Sequence, residues 1–121
     1  MERDLISRMR RELDKLQENK KKINNLVHEG VISERFGKYL EYFSMLNFST
    51  IEAEAYAREG NRQGSISSLV GGRTILDSIA SLYIEHLMQG EDCQHYQNFY
   101  ELAKEKYENS ESKCCNLLES N

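Results

Sequence analysis

Residues 65–89 read SISSLVGGRTILDSIASLYIEHLMQ, and their apolar pattern is the clearest indication of the fold class. Its apolar residues recur at steps of three, four and seven, which is the spacing of one face of an α-helix. A second, neighbouring stripe widens that face, and a helix that is apolar over so broad an arc is expected at the centre of a bundle. The two stripes are Ile66, Leu69, Leu76, Ala80, Tyr83 and Leu87, and then Ile75, Ile79 and Leu82.

The N-terminal part of the chain predicts a long amphipathic helix over roughly residues 3 to 29, and Gly30 supplies its C-terminal stop. At 1.5 Å per residue this helix would be about 40 Å long. Its apolar seam alternates steps of three and four residues, which is typical of helices that pack lengthwise on others, and only Lys20 interrupts it. The seam consists of Ile6, Met9, Leu13, Leu16, Lys20, Ile23 and Val27.

The middle of the chain predicts two shorter helical segments. Ser33 can cap a second helix that ends near Asn47. The sequence Ser49-Thr50-Ile51-Glu52 has the pattern of a capping box and would open a third segment, from Thr50 to about Glu59. Residues 60–64 are either a turn or a weak patch in a longer helix, and we expect continuity with a kink.

Glu91 and Asp92 are expected to begin a last helix after Gly90 ends the apolar one. The chain has no Pro that would interrupt long helices and no convincing strand-like alternation. The sequence therefore predicts an all-α protein with one domain over residues 1–121, folded as an up-and-down bundle of four or five helices.

Composition and charge narrow the class of protein. The chain is 39% hydrophobic and 30% charged, which is too apolar for disorder and too charged for a membrane protein. The net charge of −4 argues against a protein whose whole surface binds nucleic acid. Because the opening residues contain no run suited to a signal peptide, we expect a cytoplasmic protein with reduced cysteines.

Arg73 is the most informative charged residue, because it falls in register with the first apolar stripe and is expected on the buried face. A buried guanidinium needs a partner, and Asp77 lies one helical turn later. Gly71 and Gly72 would let another backbone or a ligand approach closely. Two interpretations stay open: an ion pair that closes the core, or an arginine that binds phosphate or lies at a dimer interface.

The run Leu69-Val70-Gly71-Gly72-Arg73-Thr74-Ile75-Leu76-Asp77-Ser78-Ile79-Ala80-Ser81-Leu82-Tyr83-Ile84 resembles the central helix of HEPN-like bundles, in particular an uncharacterised bacterial branch. The resemblance implies an all-helical, often dimeric protein from a superfamily associated with RNA cleavage and with defence or toxin systems. The nuclease signature of that family is Arg, four to six residues, then His. None of His28, His86 and His95 follows an arginine at that interval, so the resemblance implies a binding or structural derivative.

Other residues with potential chemistry do not form a recognisable site. Cys93 and His95, with His86 and Glu91 nearby, fall short of the four ligands that a structural zinc site needs. Cys114 is expected to be a small core residue and Cys115 a bystander, and a continuous last helix would hold both about 30 Å from Cys93. We find no catalytic triad and no phosphate-binding loop, and we predict no metal and no cofactor.

Basic residues form a stripe on the first helix, opposite its apolar seam: Arg8, Arg11, Lys15 and Lys22. Either a solvated face or a nucleic-acid contact would explain this stripe. The sequence thus predicts a non-catalytic protein-interaction module, a homodimeric helical bundle with a protein partner and a connection to defence or counter-defence. Its binding residues would be Arg73, Asp77, Arg8, Arg11 and Lys15. The alternative is a nucleic-acid-binding or ribonuclease-like bundle that uses Arg73, and it leaves enzymatic activity open.

Overall fold

Four α-helices make up the fold in the computed structural model, which describes residues 2–90 and 94–120 and side chains from Leu5 onward. The helices are α1 (Glu2–His28), α2 (Glu34–Arg58), α3 (Arg62–Met88) and α4 (Gln94–Ser120). Every regular element in these ranges is a helix, and consecutive helices contact one another. The prediction of an all-α up-and-down bundle with a long first helix is confirmed.

Local signals at the first turn act as the sequence predicts. Gly30 adopts a left-handed conformation with φ 74°, and its N–H donates to the carbonyl of Val27 at 3.0 Å. Ser33 then caps α2, because its hydroxyl accepts from the backbone N–H of Phe36 at 3.1 Å. Both ends of this turn are therefore determined by residues within a few positions of it.

The predicted break between a second and a third helix is wrong, because α2 continues through Asn47 and Thr50 to Arg58. Thr50 does not cap a new helix: its hydroxyl donates to the carbonyl of Asn47 at 2.9 Å. Glu52, the last residue of the predicted capping box, accepts a hydrogen bond of 2.7 Å from Ser68 on α3 instead. Thr50 thus bonds within α2, and Glu52 links α2 to α3.

A true turn, and not a kink, separates α2 from α3. Gly60 has φ 73°, and the N–H of Asn61 donates to the carbonyl of Tyr56 at 2.9 Å. The side chain of Asn61 then caps α3 by accepting from the N–H of Gly64 at 2.9 Å. The expected continuity over residues 60–64 is thus wrong, because a left-handed glycine and an asparagine cap together terminate one helix and start the next.

The centre of the bundle is α2 and not α3, which corrects the expectation from hydrophobicity. Among the described residues, helix α2 contacts α1, α3 and α4, whereas α3 contacts only α2 and α4, and α1 contacts only α2. The core between α2, α3 and α4 has a larger cluster, comprising Tyr39, Leu46, Leu76, Ile79, Ala103 and Tyr107. A smaller cluster toward the other end consists of Ala53, Ala57 and Cys114.

Helix α1 lies on the outside of α2 and approaches it closely at Gly37. A Cβ atom at that position would lie 2.7 Å from Cγ2 of Val27. Lys20, the residue that interrupts the apolar seam, reaches Glu41 on α2 at 3.9 Å. None of the helices in the described ranges has the length and apolar character needed to cross a bilayer.

Candidate functional site

Arg73 lies on the outside of α3, so the prediction that it is buried is wrong. Its side chain is 63% exposed, and its Nε is 3.4 Å from Oδ1 of Asp77, which is 66% exposed. The predicted pairing with Asp77 is present, but as a surface ion pair one turn apart. Such pairs contribute only about 0.3–0.5 kcal/mol, so Arg73 does not hold the core together.

The reason lies on the opposite side of α3, where small residues take the buried positions. Gly72 packs against the ring of Tyr107, with carbon atoms of the ring 3.4 Å from the position that a Cβ would occupy. The residues of α3 that are buried in the core are Ser65, Ser68, Gly72, Leu76, Ile79 and His86. The helix is thus rotated relative to the hydrophobicity pattern, and this rotation turns Arg73 and several apolar residues toward solvent.

Exposed apolar side chains surround the ion pair and form what we call the outer face of α3. Its members follow one another at steps of three, four and seven residues, so they lie along one line on the helix. Ile66 is 49% exposed, Val70 60%, Ile84 54% and Met88 84%. We define the outer face of α3 by Ile66, Val70, Arg73, Asp77, Ile84 and Met88.

The predicted basic stripe of α1 is on the surface, but it does not join Arg73. Arg8, Arg11 and Lys15 are all exposed, and Lys15 pairs with Glu12 at 3.3 Å. Arg8 lies beside Arg58 at the C-terminal end of α2. Since the described part of α1 makes no contact with α3, the structure divides the predicted binding residues between two separate surfaces.

An apolar groove of about 260 Å³ runs between α1 and α2. Leu13 is 42% exposed and Met45 36% exposed at its rim, so part of the α1 seam remains accessible. The groove is lined by Leu13, Leu16, Gln17, Lys20, Ile23, Glu41, Ser44 and Met45. A single neighbouring helix therefore leaves α1 incompletely covered.

Sequence reasoning missed a buried aromatic group around His86. Nδ1 of His86 is 2.9 Å from the hydroxyl of Tyr39, and the ring of Tyr96 stacks on Tyr39 with 4.4 Å between centroids. Burial lowers the pKa of His86 below 6.5, Arg35 and Lys38 lower it further, and Glu85 partly opposes them. The i, i+7 spacing of Ile79 and His86 on the core side of α3 was the available signal, but His86 was considered only as a neighbour of the candidate ligands Cys93 and His95.

The lowered pKa of His86 predicts that the fold loses stability as the pH falls below about 6.5. The unfolded chain binds this proton near pH 6.5, whereas the folded chain binds it only at lower pH, so acid favours unfolding in that interval. We expect urea unfolding to show a larger loss of unfolding free energy between pH 7.5 and 5.5 in the native protein than in His86→Gln. His28→Gln, which alters an exposed histidine, should behave like the native protein; equal losses in native and His86→Gln would contradict the prediction.

The candidate metal ligands do not come together in the part of the chain that the structure describes. Cys93 and Glu91 lie outside the described residues, and the described ones contain no cluster of three or more His, Cys, Asp and Glu side chains suited to a metal. Cys114 is fully buried, as predicted for a core residue, and burial raises the pKa of its thiol. Cys115 is exposed.

Comparison of the chain with protein-family models, with curated proteins and with solved structures finds no match. The candidate site therefore rests on the geometry of the chain itself, namely the outer face of α3 and the groove between α1 and α2.

Proposed function

We propose that this chain is a non-catalytic protein-interaction module that functions as a homodimer. The observation that carries the proposal is the distribution of exposed apolar side chains. Of the ten large hydrophobic side chains that are exposed in the described part of the chain, five lie on α3. Scattered apolar residues are ordinary on a protein surface, whereas a contiguous set on one helix is typical of an interface.

The buried titratable groups support a non-catalytic role, because each is part of the packing. His86 bonds Tyr39 at one end of the core, and Cys114 belongs to the small cluster at the other end. Tyr107 packs on Gly72, and its hydroxyl donates to Glu111 at 3.4 Å. Burial and the neighbouring Glu111 carboxylate raise the pKa of Tyr107, so it stays protonated at neutral pH. These three side chains act at separate places and not as one constellation.

The groove between α1 and α2 is the surface that we assign to a different protein partner. An amphipathic helix bound along the groove would cover Leu13 and Met45, which are partly exposed to solvent. Leu13→Asp should weaken binding of the partner relative to the native protein, because it places a charge in the groove. Val31→Asp alters a more exposed apolar residue in the turn after α1, and this variant should bind the partner as the native protein does.

We expect the protein to be a dimer in solution. Multi-angle light scattering at tens of micromolar should give twice the chain mass of 14.1 kDa, because a closed dimer is the simplest way to cover one apolar face per chain. A mass of 14.1 kDa that persists at several hundred micromolar would contradict the proposed homodimer.

Nucleic-acid binding is the alternative function, and the exposed basic stripe on α1 is the observation that favours it. The stripe is partly neutralised, because Lys15 pairs with Glu12 and Lys22 pairs with Glu18 at 3.4 Å. Under our proposal a single-stranded RNA shows no gel shift at about 0.15 M salt, where weak surface attraction is screened. A shift that Arg8→Glu combined with Arg11→Glu abolishes would favour the alternative. Kinship with HEPN-like bundles and a role in defence or counter-defence stay proposals from resemblance.

A further inference from the structure

We propose that the second copy of the chain docks on the outer face of α3, with the two α3 helices antiparallel about a two-fold axis that crosses this face between Arg73 and Asp77, at the height of Ile75 along the helix. This inference rests on the homodimer proposed above and specifies its interface. The outer face points away from the core, and neither α1 nor another described part of the same chain covers its apolar residues. An isologous contact needs a surface that is complementary to itself, and this face has that property.

The charges on the outer face are arranged symmetrically about Ile75. Arg73 lies two residues before it and Asp77 two residues after it. In an antiparallel pair of helices, residues at equal distances on opposite sides of the axis come together. Arg73 of one copy therefore lies beside Asp77 of the second copy, and the reciprocal pair forms across the axis. The result is a square of alternating charges that includes the ion pair within each chain.

The two isoleucines of the outer face follow the same symmetry. Ile66 and Ile84 are each nine residues from Ile75. In the antiparallel pair, Ile66 of one copy therefore packs against Ile84 of the second copy, and Ile84 packs against Ile66. Val70 lies opposite Ala80 in the same register. The two isoleucine pairs lie about 27 Å apart along the helix at 1.5 Å per residue, so the interface has at least this length. Apolar side chains on both sides shield the central charges from water, which strengthens their attraction relative to an exposed pair.

The groove between α1 and α2 does not offer an equivalent pattern to a second copy. Its charged lining residues, Lys20 and Glu41, belong to different helices and already pair with each other at 3.9 Å. The outer face of α3 instead presents both charges on one helix at equal distances from a single point. Charge complementarity to a second copy is thus a property of α3 and not of the groove.

Charge reversal tests the register directly, with the dimer dissociation constant measured by sedimentation equilibrium. Arg73→Asp and Asp77→Arg should each raise the dissociation constant at least about tenfold, because each places like charges side by side across the axis. The double variant exchanges the two charges and should return the constant to within about threefold of the native value. Lys104→Asp is the matched control, since Lys104 forms a similarly exposed i, i+4 pair with Glu108 on α4 and should leave the constant unchanged.

A second arm tests the apolar part of the same face. Ile84→Asp should raise the dissociation constant about 100-fold or more, whereas Leu13→Asp in the groove between α1 and α2 should leave it unchanged. Far-UV circular dichroism confirms that each variant stays helical. A native protein that is monomeric overturns the proposed homodimer. A native dimer that survives Arg73→Asp, Asp77→Arg and Ile84→Asp, or one that Leu13→Asp dissociates, overturns only the α3 interface. Failure of the double variant to restore the dimer overturns the antiparallel register.

Discussion

Tyr39→Ala is expected to lower the free energy of unfolding by about 3–5 kcal/mol, which is the usual cost of removing a large buried aromatic ring. Tyr39 is completely buried, and it holds three aromatic neighbours together. Tyr96 stacks on it almost in parallel, and Phe99 meets it edge to face at 5.8 Å. The loss also leaves Nδ1 of His86 without its partner. Since a domain is typically stable by about 5–15 kcal/mol, the variant should be close to unfolding.

Two variants separate the contributions of the Tyr39 ring and its hydroxyl. Tyr39→Phe keeps the stacking but leaves the buried His86 nitrogen unsatisfied, and we expect a cost of about 1–3 kcal/mol. Tyr83→Ala removes a partly buried tyrosine whose ring meets only Tyr100, at 6.3 Å, among the described aromatic contacts. Urea denaturation followed by circular dichroism measures all three. If Tyr39→Ala were no more destabilising than Tyr83→Ala, the structural role assigned to Tyr39 would be wrong.

Leu46→Ala should destabilise the protein by about 2–5 kcal/mol. Leu46 is completely buried on α2, and its Cδ1 faces the backbone of α3 at Gly72. It belongs to the same cluster as Tyr107, whose ring also packs against Gly72. The cavity left by the missing side chain would lie where three helices meet, and the surrounding helices can close only part of it.

The adjacent residue provides a matched control for Leu46. Met45 lies on the same helix but is 36% exposed at the edge of the groove between α1 and α2. Met45→Ala should therefore cost less than about 1 kcal/mol, because little buried apolar surface is lost. Thermal and urea unfolding of both variants, with identical conditions, measure the difference. Similar losses for the two variants would show that the packing around Leu46 is not as tight as its burial indicates.

Much of the secondary structure follows from residues close together in the chain. Gly30 ends α1 and Ser33 starts α2, as predicted, because a left-handed glycine and a hydroxyl cap act on backbone groups only a few residues away. The same local logic gave a false boundary at Thr50. A capping-box sequence is also compatible with a helix interior when its hydroxyl donates to the preceding turn and its glutamate binds another helix.

The candidate site could be predicted only in part. The pairing of Arg73 with Asp77 follows from their i, i+4 spacing, which is a property of any helix. Their exposure could not be derived, because Arg73 is in register with a predicted apolar stripe in which Leu76 is buried but Ile66 is exposed. The burial of His86 could not be predicted for a related reason, because its hydrogen-bond partner, Tyr39, is 47 residues away in the chain.

Local sequence signals were enough to predict that the chain is helical, that a long α1 ends just before Gly30, and that α2 begins after Ser33. These features depend on helix propensity, on the absence of proline and on caps, all of which act over one or two turns. Packing between the helices fixed which side of α3 is buried and placed α2 at the centre. Small residues such as Ser65, Ser68 and Gly72 let α2 and α4 approach α3 closely. The close packing on this side of α3 stabilises the fold more than burial of Ile66 and Val70 on the other side would.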